Sequence, residues 1–569
     1  MACGYLREAG INSTFPHLLL FFLLRKNDHS GERYMKNGMI CAPQPEAVEA
    51  GAIILKSGGN AIDAAIATAL VQTAVDPFMC GIAGFGSMHV FLPESGIHKC
   101  LDFHARAPEA VTPDMWEDKL VKECEDGFGF ILKGRVNEIG YQSIATPESL
   151  RAFSTALEKW GTKKLAEVIQ PAIEFLEKGW IIRPHVRRFW EQIEPGGRVE
   201  HIEYLRGSPA TAKIYLNANG TMKNLGETLR NPDLAKTYQR IAKAGAQDFY
   251  EGEIAQKIVK DMRANNGLIA ENDLKNGNTQ ETELLWTDYR GYQIASSPPP
   301  GGGIMVLQIL NILENFDLIS MGHNSPEYIR VLVEAMKVAT VDKDNHVGDP
   351  RFVNIPIEKL ISKKYAEEIA DRIKSGEKTN VPRIQKGVDQ KETTHICAVD
   401  ETGNCVSMTH SIGMPSGVVT EGLGFVYNGC MSVFDPRPGM TGSLAAGKSR
   451  FTSMAPTIVF KNNKPMLLIG APGGTYIAMG VVQGIVNVID FGMDAERAVA
   501  APRFSATSDI IEIVNRIPRF VQSELEEQGY EFRRYPLGFH FAGVHAIRLN
   551  EQGIDGGADP GRDGMALLV

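Results

Sequence analysis

Strand pairs and helices that are apolar nearly all round recur in both halves of the 569-residue chain, and they predict an α+β fold of helices layered on sheets. The run PEAVEAGAIILKSGGNAIDAAIATALVQTAVD reads as two helices broken at Ser57, Gly58, Gly59 and Asn60, with Asn60 placed to cap the second. That second helix has no polar face, which implies burial. Further on, HICAV and CVSMTHS flank the turn segment DETGN, and the three together read as a β-hairpin.

The other elements follow in chain order. After the glycine-rich CGIAGFGS, the alternating runs SMHVFLP and HKCLDF form a strand pair. TPESLRAFSTALEKWG opens with Thr146, Pro147 and Glu148, good chemistry for a helix start. Helical patterns continue through residues 245–265. The run SSPPPGGG over residues 296–303 is the strongest punctuation in the chain. IMVLQILNILENF and SPEYIRVLVEAMKVATVDKD behind it read as long amphipathic helices. Residues 374–392 lack periodicity and are rich in Lys, Gly and Gln, so they read as an exposed linker. Past the hairpin come strands in APTIVF and KPMLLIG, a glycine pair, and a helix in TYIAMGVVQGIVNVID. No internal repeat is evident.

Composition narrows the function classes. Hydrophobic residues make up 43% and charged residues 22%, ordinary for a globular chain. The net charge of −9 and the lack of a dense Lys/Arg block leave nucleic acid no electrostatic footprint. The basic run RPHVRRFW reads as a solvated helix face. Eight cysteines without a CxxC pair, and no HExxH, give neither a ribbon-type zinc site nor a zincin. Cys397 and Cys405 fall on the two hairpin strands, and reduced thiols are the simpler reading. No 18-residue apolar span suggests a membrane helix. At the amino terminus, FPHLLLFFLL resembles a signal-peptide core but lacks a small-x-small cleavage site. A start at Met35 or Met39 is favoured, and with it a cytoplasmic protein; export stays open.

Several motifs could carry chemistry. GSLAAGKS, with Gly442, Gly447, Lys448 and Ser449, matches the Walker A pattern by letter. A P-loop needs a strand before it and a helix after it. Here Pro436 and Pro438 precede the run and Pro456 follows, which disfavours that context. Thr393 begins the first hairpin strand. A threonine there gains meaning if the preceding bond is cut, because its own α-amine then serves as the base for its hydroxyl. His395 consequently reads as a structural strand residue. Thr409 and Ser411 lie across the hairpin from Thr393 and Thr394; one of them could orient a nucleophile, though alternating hydroxyls also simply fill a polar strand face. Gly473 and Gly474 open a helix and read equally as a tight turn or as oxyanion-binding amides.

GGNAIDAA, IASSPPPGGGIMVLQILNILENFDL, HVGDPRFV, TTH-x-x-x-VD-x-x-GN, SMAPTIV and PGGTYI occur in this order, and the chain from about Pro45 onward resembles the gamma-glutamyltranspeptidase (glutathione hydrolase) family of N-terminal-nucleophile hydrolases. The resemblance implies a four-layer αββα fold and self-cleavage between Glu392 and Thr393. A doubtful extension (1–34), a large subunit (35–392) and a small subunit (393–569) would result, the two subunits staying associated. It further implies a covalent acyl-enzyme on Thr393, with Ser411 at the family's second hydroxyl position. Gly473 and Gly474 match the oxyanion glycines, and Thr452 and Ser453 match the family's Ser-Ser pair. No cofactor or metal is implied. The partner is a small amide or peptide substrate; homo-oligomers stay open.

The departures from the family pattern are concentrated in substrate recognition. His104 stands where the family's carboxylate-binding Arg belongs, with Arg106 two residues on as a substitute. Gly413 takes the place of an Asn. Cys430 and Val433 take the places of the Gln and Asp that hold the α-amino group. A buried ammonium without its carboxylate costs several kcal/mol. The expectation is a self-processing amide hydrolase with an altered acyl pocket; the alternatives are an active gamma-glutamyltransferase and, more distantly, a P-loop NTPase or a non-cleaving binding relative.

Overall fold

The computed structural model describes residues 37–569 except 125, 126, 128, 193–196, 278, 383–392 and 537. The amino-terminal apolar run, Met35, Cys3 and Glu392 lie outside the described residues, as does most of the segment read as a linker.

Two large antiparallel sheets carry the chain. Their strands, in order, are β1 (Met39–Ala42), β2 (Phe85–Leu92), β3 (Ile97–Phe103), β4 (Gln280–Thr282), β5 (Leu285–Tyr289) and β6 (Tyr292–Ser296). After residue 392 come β7 (Thr394–Val399), β8 (Cys405–Ser411), β9 (Thr457–Lys461), β10 (Lys464–Gly470), β11 (His545–Asn550), β12 (Gly553–Ala558) and β13 (Met565–Leu568). The first sheet runs β13-β1-β7-β8-β2-β3-β4 and the second β12-β11-β10-β9-β6-β5. The hairpin β7–β8 therefore sits at the centre of the first sheet.

Period-two alternation sorts each strand between two cores. Cys41, Cys397, Val399 and Cys405 of the first sheet share a core with Ala295, Ile458, Leu468 and Ile547 of the second. The opposite residues of the first sheet, Ile40, Val90, Ile396, Ala398 and Val406, pack with helices α1 (Pro45–Lys56), α2 (Ala61–Val75) and α3 (Ser149–Trp160). On the far side, Ile294, Val459, Leu467 and Ile469 pack with α4 (Gly303–Leu313), α5 (Pro326–His346) and α6 (Ile477–Ile489).

The break at Ser57–Asn60 falls where the sequence places it. Asn60 accepts hydrogen bonds from the Ile62 and Asp63 amides, and Asp63 accepts one from Asn60 in return. All fifteen residues of α2 are buried. Two expectations need correction. Helix α4 is buried at every position and α5 over residues 331–340, so neither is an amphipathic surface helix. The physical reason is that α4 is packed between β-sheet and other helices and has no solvent face. Likewise, the basic run forms a short helix, Pro184–Trp190, that buries His185, Val186, Phe189 and Trp190, while Arg187 pairs with Glu191 at 2.9 Å. It is docked, not solvated.

The two sheets approach closely at one point beneath the hairpin. A Cβ at Gly470 would lie 2.1 Å from His395 Cε1, so β10 passes His395 only because residue 470 has no side chain. Gly470→Ala is expected to destabilise the fold by about 1–3 kcal/mol through overpacking, read as a lowered denaturation midpoint in a urea titration.

Candidate active site

The hairpin register brings two hydroxyls together. Thr394 pairs with His410 and His395 with Thr409, so Thr393, one residue before β7, comes opposite Ser411. Odd-numbered residues on both strands face the second sheet, which places Thr393 and Ser411 on the same side. Thr393 Oγ1 donates to Ser411 Oγ at 3.3 Å, and Ser411 Oγ accepts the Gly413 amide at 2.8 Å. Both residues are buried.

The opposite face of the same pairs is fastened to α2. Gln72 donates its side-chain amide to Thr394 Oγ1 at 2.8 Å and to Gln44 Oε1 at 2.9 Å, while its carbonyl oxygen accepts from His410 Nε2 at 2.8 Å. One glutamine thus grips both hairpin strands at the register position next to Thr393. Toward the second sheet, His395 bonds Thr409 Oγ1 through Nδ1 at 2.8 Å. Burial pushes His395 down to about 3, with His410 adding to the effect, and burial alone does the same to His410. Both imidazoles are therefore neutral at pH 7, and His395 is too weak a base to serve a nucleophile. That agrees with its reading as a structural strand residue.

Thr393 and Ser411 line a small cavity of about 20 Å3 together with Gly413, Met414, Arg450, Thr452, Ser453, Met454, Gly474 and Ile477. Thr452 and Ser453 are held by the Pro-Gly run. The Thr452 amide donates to Pro300 O at 2.9 Å, and Met454 O accepts from the Gly302 amide at 2.7 Å and from Ser297 Oγ at 3.1 Å. Gly473 and Gly474 have φ of 138° and 55°, values that side chains disfavour, and a Cβ at Gly473 would meet Ala542 Cα at 2.6 Å. From Gly474, which lines the cavity, the chain turns through Tyr476 into α6.

Residues 47–569 match the gamma-glutamyltranspeptidase family. The chain belongs to that family. It is 35% identical over 555 residues to "Acylase ACY 1 proenzyme" of Pseudomonas sp. (strain V22), covering 96% of each chain. It is 33% identical over 558 residues to "Glutathione hydrolase proenzyme" of Bacillus subtilis (strain 168), covering 94% of this chain and 92% of that one. In structure it resembles cephalosporin acylase from Bacillus halodurans, with a TM-score of 0.80, 26% identity, and 96% and 99% of the two chains covered. The relatives thus carry the names of both acylases and glutathione hydrolases.

Of the residues singled out from sequence, Thr393, Ser411, Gly413, Thr452, Ser453 and Gly474 meet at the cavity. His104, Arg106, Cys430, Val433 and Gly473 are not among its lining residues. His104 is buried with Nδ1 2.5 Å from Asp102 Oδ1. The Arg106 amide donates to Thr146 Oγ1 at 2.9 Å, and its backbone bridges Ser449. Cys430 lies directly behind Gly413, and Val433 ends the short turn that Cys430 begins. Sequence reasoning missed Arg450, Met414, Met454 and Ile477. The signal for Arg450 was its position two residues before Thr452, masked by the Walker-like string it adjoins.

That string is no P-loop. Its Gly447 amide donates to Ala107 O and its Lys448 carbonyl accepts from the Ala107 amide, each at 2.9 Å. Lys448 Nζ donates to Ser443 O of the same loop at 2.9 Å, and the next regular element is strand β9. A phosphate cradle needs a helix there. Cys397 and Cys405 are free thiols. Among the described residues no group of three or more His, Cys, Asp or Glu is placed to hold a metal ion, and no helix is long and apolar enough to cross a membrane.

The depressed histidines give a pH dependence of definite sign. Unfolded, each titrates near 6.5; folded, near 3. The unfolded chain binds more protons below 6.5, so their contribution is complete above that pH and lost as pH falls toward 3. His410→Gln, able to keep a bond to Gln72, should flatten the slope of unfolding free energy against pH by about 1.4 kcal/mol per unit between about pH 6 and pH 4, read by denaturant titration across that range.

Proposed function

We propose that the chain is a self-processing threonine amidohydrolase whose acyl pocket is altered from the glutamate-binding form. The observation that carries the reading is the placement of Thr393 Oγ1, 3.3 Å from Ser411 Oγ, on a cavity also lined by Gly474. Membership of the gamma-glutamyltranspeptidase family and the word "proenzyme" in the names of both relatives support cleavage between Glu392 and Thr393. Residues 35–392 and 393–569 are then the two subunits of a four-layer αββα body. The three successive cores, helix against sheet, sheet against sheet and sheet against helix, support that arrangement.

In the proposed mechanism, cleavage frees the α-amine of Thr393. That amine takes the hydroxyl proton as Oγ1 attacks the substrate amide carbon. Negative charge develops on the carbonyl oxygen, against the amides of Gly473 and Gly474 at the start of α6. The ammonium returns the proton to the leaving amine, and the acyl group stays on Thr393 as an ester. Water, deprotonated by the same amine, attacks the ester and releases the acid. Ser411 orients Thr393 Oγ1, and Gln72 keeps the register that makes this possible.

A second reading, an active gamma-glutamyltransferase, is favoured by the relative named glutathione hydrolase. Against it stand the altered positions His104, Gly413, Cys430 and Val433. Intact-mass spectrometry of purified protein should find two fragments, one beginning at Thr393; a chain that stays whole on prolonged incubation would point to the non-cleaving relative. Thr393→Ala should abolish fragment formation and lower kcat by roughly 10^4 or more. Rapid hydrolysis of gamma-glutamyl-p-nitroanilide by the wild type would establish the second reading in place of the first.

A further inference from the structure

We propose that Gln44 and Asp76 are positioning residues for Thr393: the Asp76 carboxylate sets the direction of a buried hydrogen-bond chain, through Gln44 and Gln72, that holds the start of β7. The proposal rests on the reading of Thr393 as nucleophile and adds to it a support that lies outside the cavity.

The start of β7 is where such a support acts. The β1–β7 ladder runs from Met39 opposite Val399 to Cys41 opposite Cys397 and stops short of Thr394, because β1 ends at Ala42. Thr394 keeps its β8 partner, His410. Its second hold is its side chain: Oγ1 accepts from Gln72 Nε2 at 2.8 Å and donates to Gln44 Oε1 at 3.5 Å.

Gln44 and Asp76 each break a local rule to join this chain. Gln44 precedes α1 with φ 61°, a conformation that strains a residue with a side chain, and it makes no side-chain cap to the helix. Asp76 follows α2, where the negative end of the helix dipole disfavours a carboxylate. Misfits of this sort are expected where a site outweighs local preference. The two residues bond each other instead. Gln44 Nε2 donates to Asp76 Oδ2 at 2.6 Å, and both are buried. His185, on the docked basic helix, has Nε2 3.5 Å from the same oxygen.

The direction of the chain follows from donor and acceptor chemistry. A carboxylate only accepts, so Gln44 turns its amide nitrogen to Asp76 and its oxygen to Gln72. Gln72 Nε2 donates to that oxygen at 2.9 Å, which leaves the Gln72 oxygen to accept from His410 Nε2 at 2.8 Å. His410 therefore carries its proton on Nε2. Its Nδ1, buried without a hydrogen-bond partner among the described residues, is then a bare lone pair. Turned round, the chain would set the Gln44 oxygen against Asp76 and bury an unpaired N–H on His410, and unmet buried donors are costly. It would also make Thr394 Oγ1 donate where it now accepts. A small shift of the neighbouring nucleophile is enough to slow a reaction.

Exchanging donor and acceptor tests the chain. The measurement is the first-order rate at which full-length protein, made by cell-free translation, yields the fragment beginning at Thr393. Gln44→Met keeps the length without a donor or acceptor, and Gln44→Glu sets two carboxylates together. Each should slow cleavage about 10-fold or more at about pH 8. Gln44→Glu combined with Asp76→Asn restores the direction: the new amide at 76 donates to the new carboxylate at 44, whose second oxygen accepts from Gln72. The double variant should return to within about 3-fold of wild type, whereas packing defects would add. Single variants that cleave like wild type, or a double variant no faster than Gln44→Glu, overturn the proposal. A chain that merely failed to fold would not be rescued by a second change. If the wild type never cleaves, the nucleophile reading fails separately, and nitrogen-15 NMR of histidine-labelled protein still reads the chain. His410 should be protonated on Nε2 in the wild type and the double variant, and on Nδ1 in Gln44→Glu. Protonation on Nδ1 in the wild type, or no change in Gln44→Glu, overturns the proposal.

Discussion

The grip of Gln72 on the central hairpin is the interaction on which the site depends. A β-strand has a side-chain period of two, so a slip of one residue between β7 and β8 would turn Thr393 from the cavity into the helix-packed face. Gln72 opposes that slip by bonding Thr394 on one strand and His410 on the other, which are direct register partners. It can do so only because α2 is buried against the sheet along its whole length, and that burial is the consequence of a helix with no polar face. A run of alanine, isoleucine and leucine near the amino end thereby fixes the position of a hydroxyl more than 300 residues later.

The polar groups beneath the nucleophile are part of the same constraint. His395, Thr409 and Ser407 lie between the sheets where apolar residues fill the neighbouring positions, and their hydrogen bonds satisfy one another or the Ile469 carbonyl. Buried polar groups of this kind stabilise little beyond their own desolvation, but they specify one arrangement because every alternative leaves a donor or acceptor unpaired. Keeping the histidines neutral is what makes their burial tolerable.

Much of this was legible in the residues. The capped break at Asn60, the hairpin around DETGN and the glycine pair at Gly473 and Gly474 are local signals, set by hydrogen-bonding side chains, alternation and φ preference, and each forms where the sequence places it. The helix of Gly303–Leu313 shows the limit. Its apolar residues are spaced for a helix, but spacing does not reveal how many neighbours surround it, and packing between sheet and helices buries even Gln308 and Asn311. The docked face of Pro184–Trp190 was hidden for the same reason: a charge run advertises its arginines and not the Val186, Phe189 and Trp190 between them.

Sequence alone determined that a hairpin turns at DETGN, with Thr393 at its start and Thr409 and Ser411 near the end of the opposite strand, and the family resemblance set His104, Gly413, Cys430 and Val433 against the glutamate-binding positions as an expectation. These are statements about order and residue type, and order along the chain suffices to make them. The tertiary structure decided which side chains share the cavity with Thr393. It left His104 and Arg106 out of the lining and brought Arg450 in from a loop whose letters mimic a phosphate-binding motif. Proximity between residues 57 positions apart along the chain arises only when β7, β8 and the loop before β9 pack together, and no local pattern encodes it.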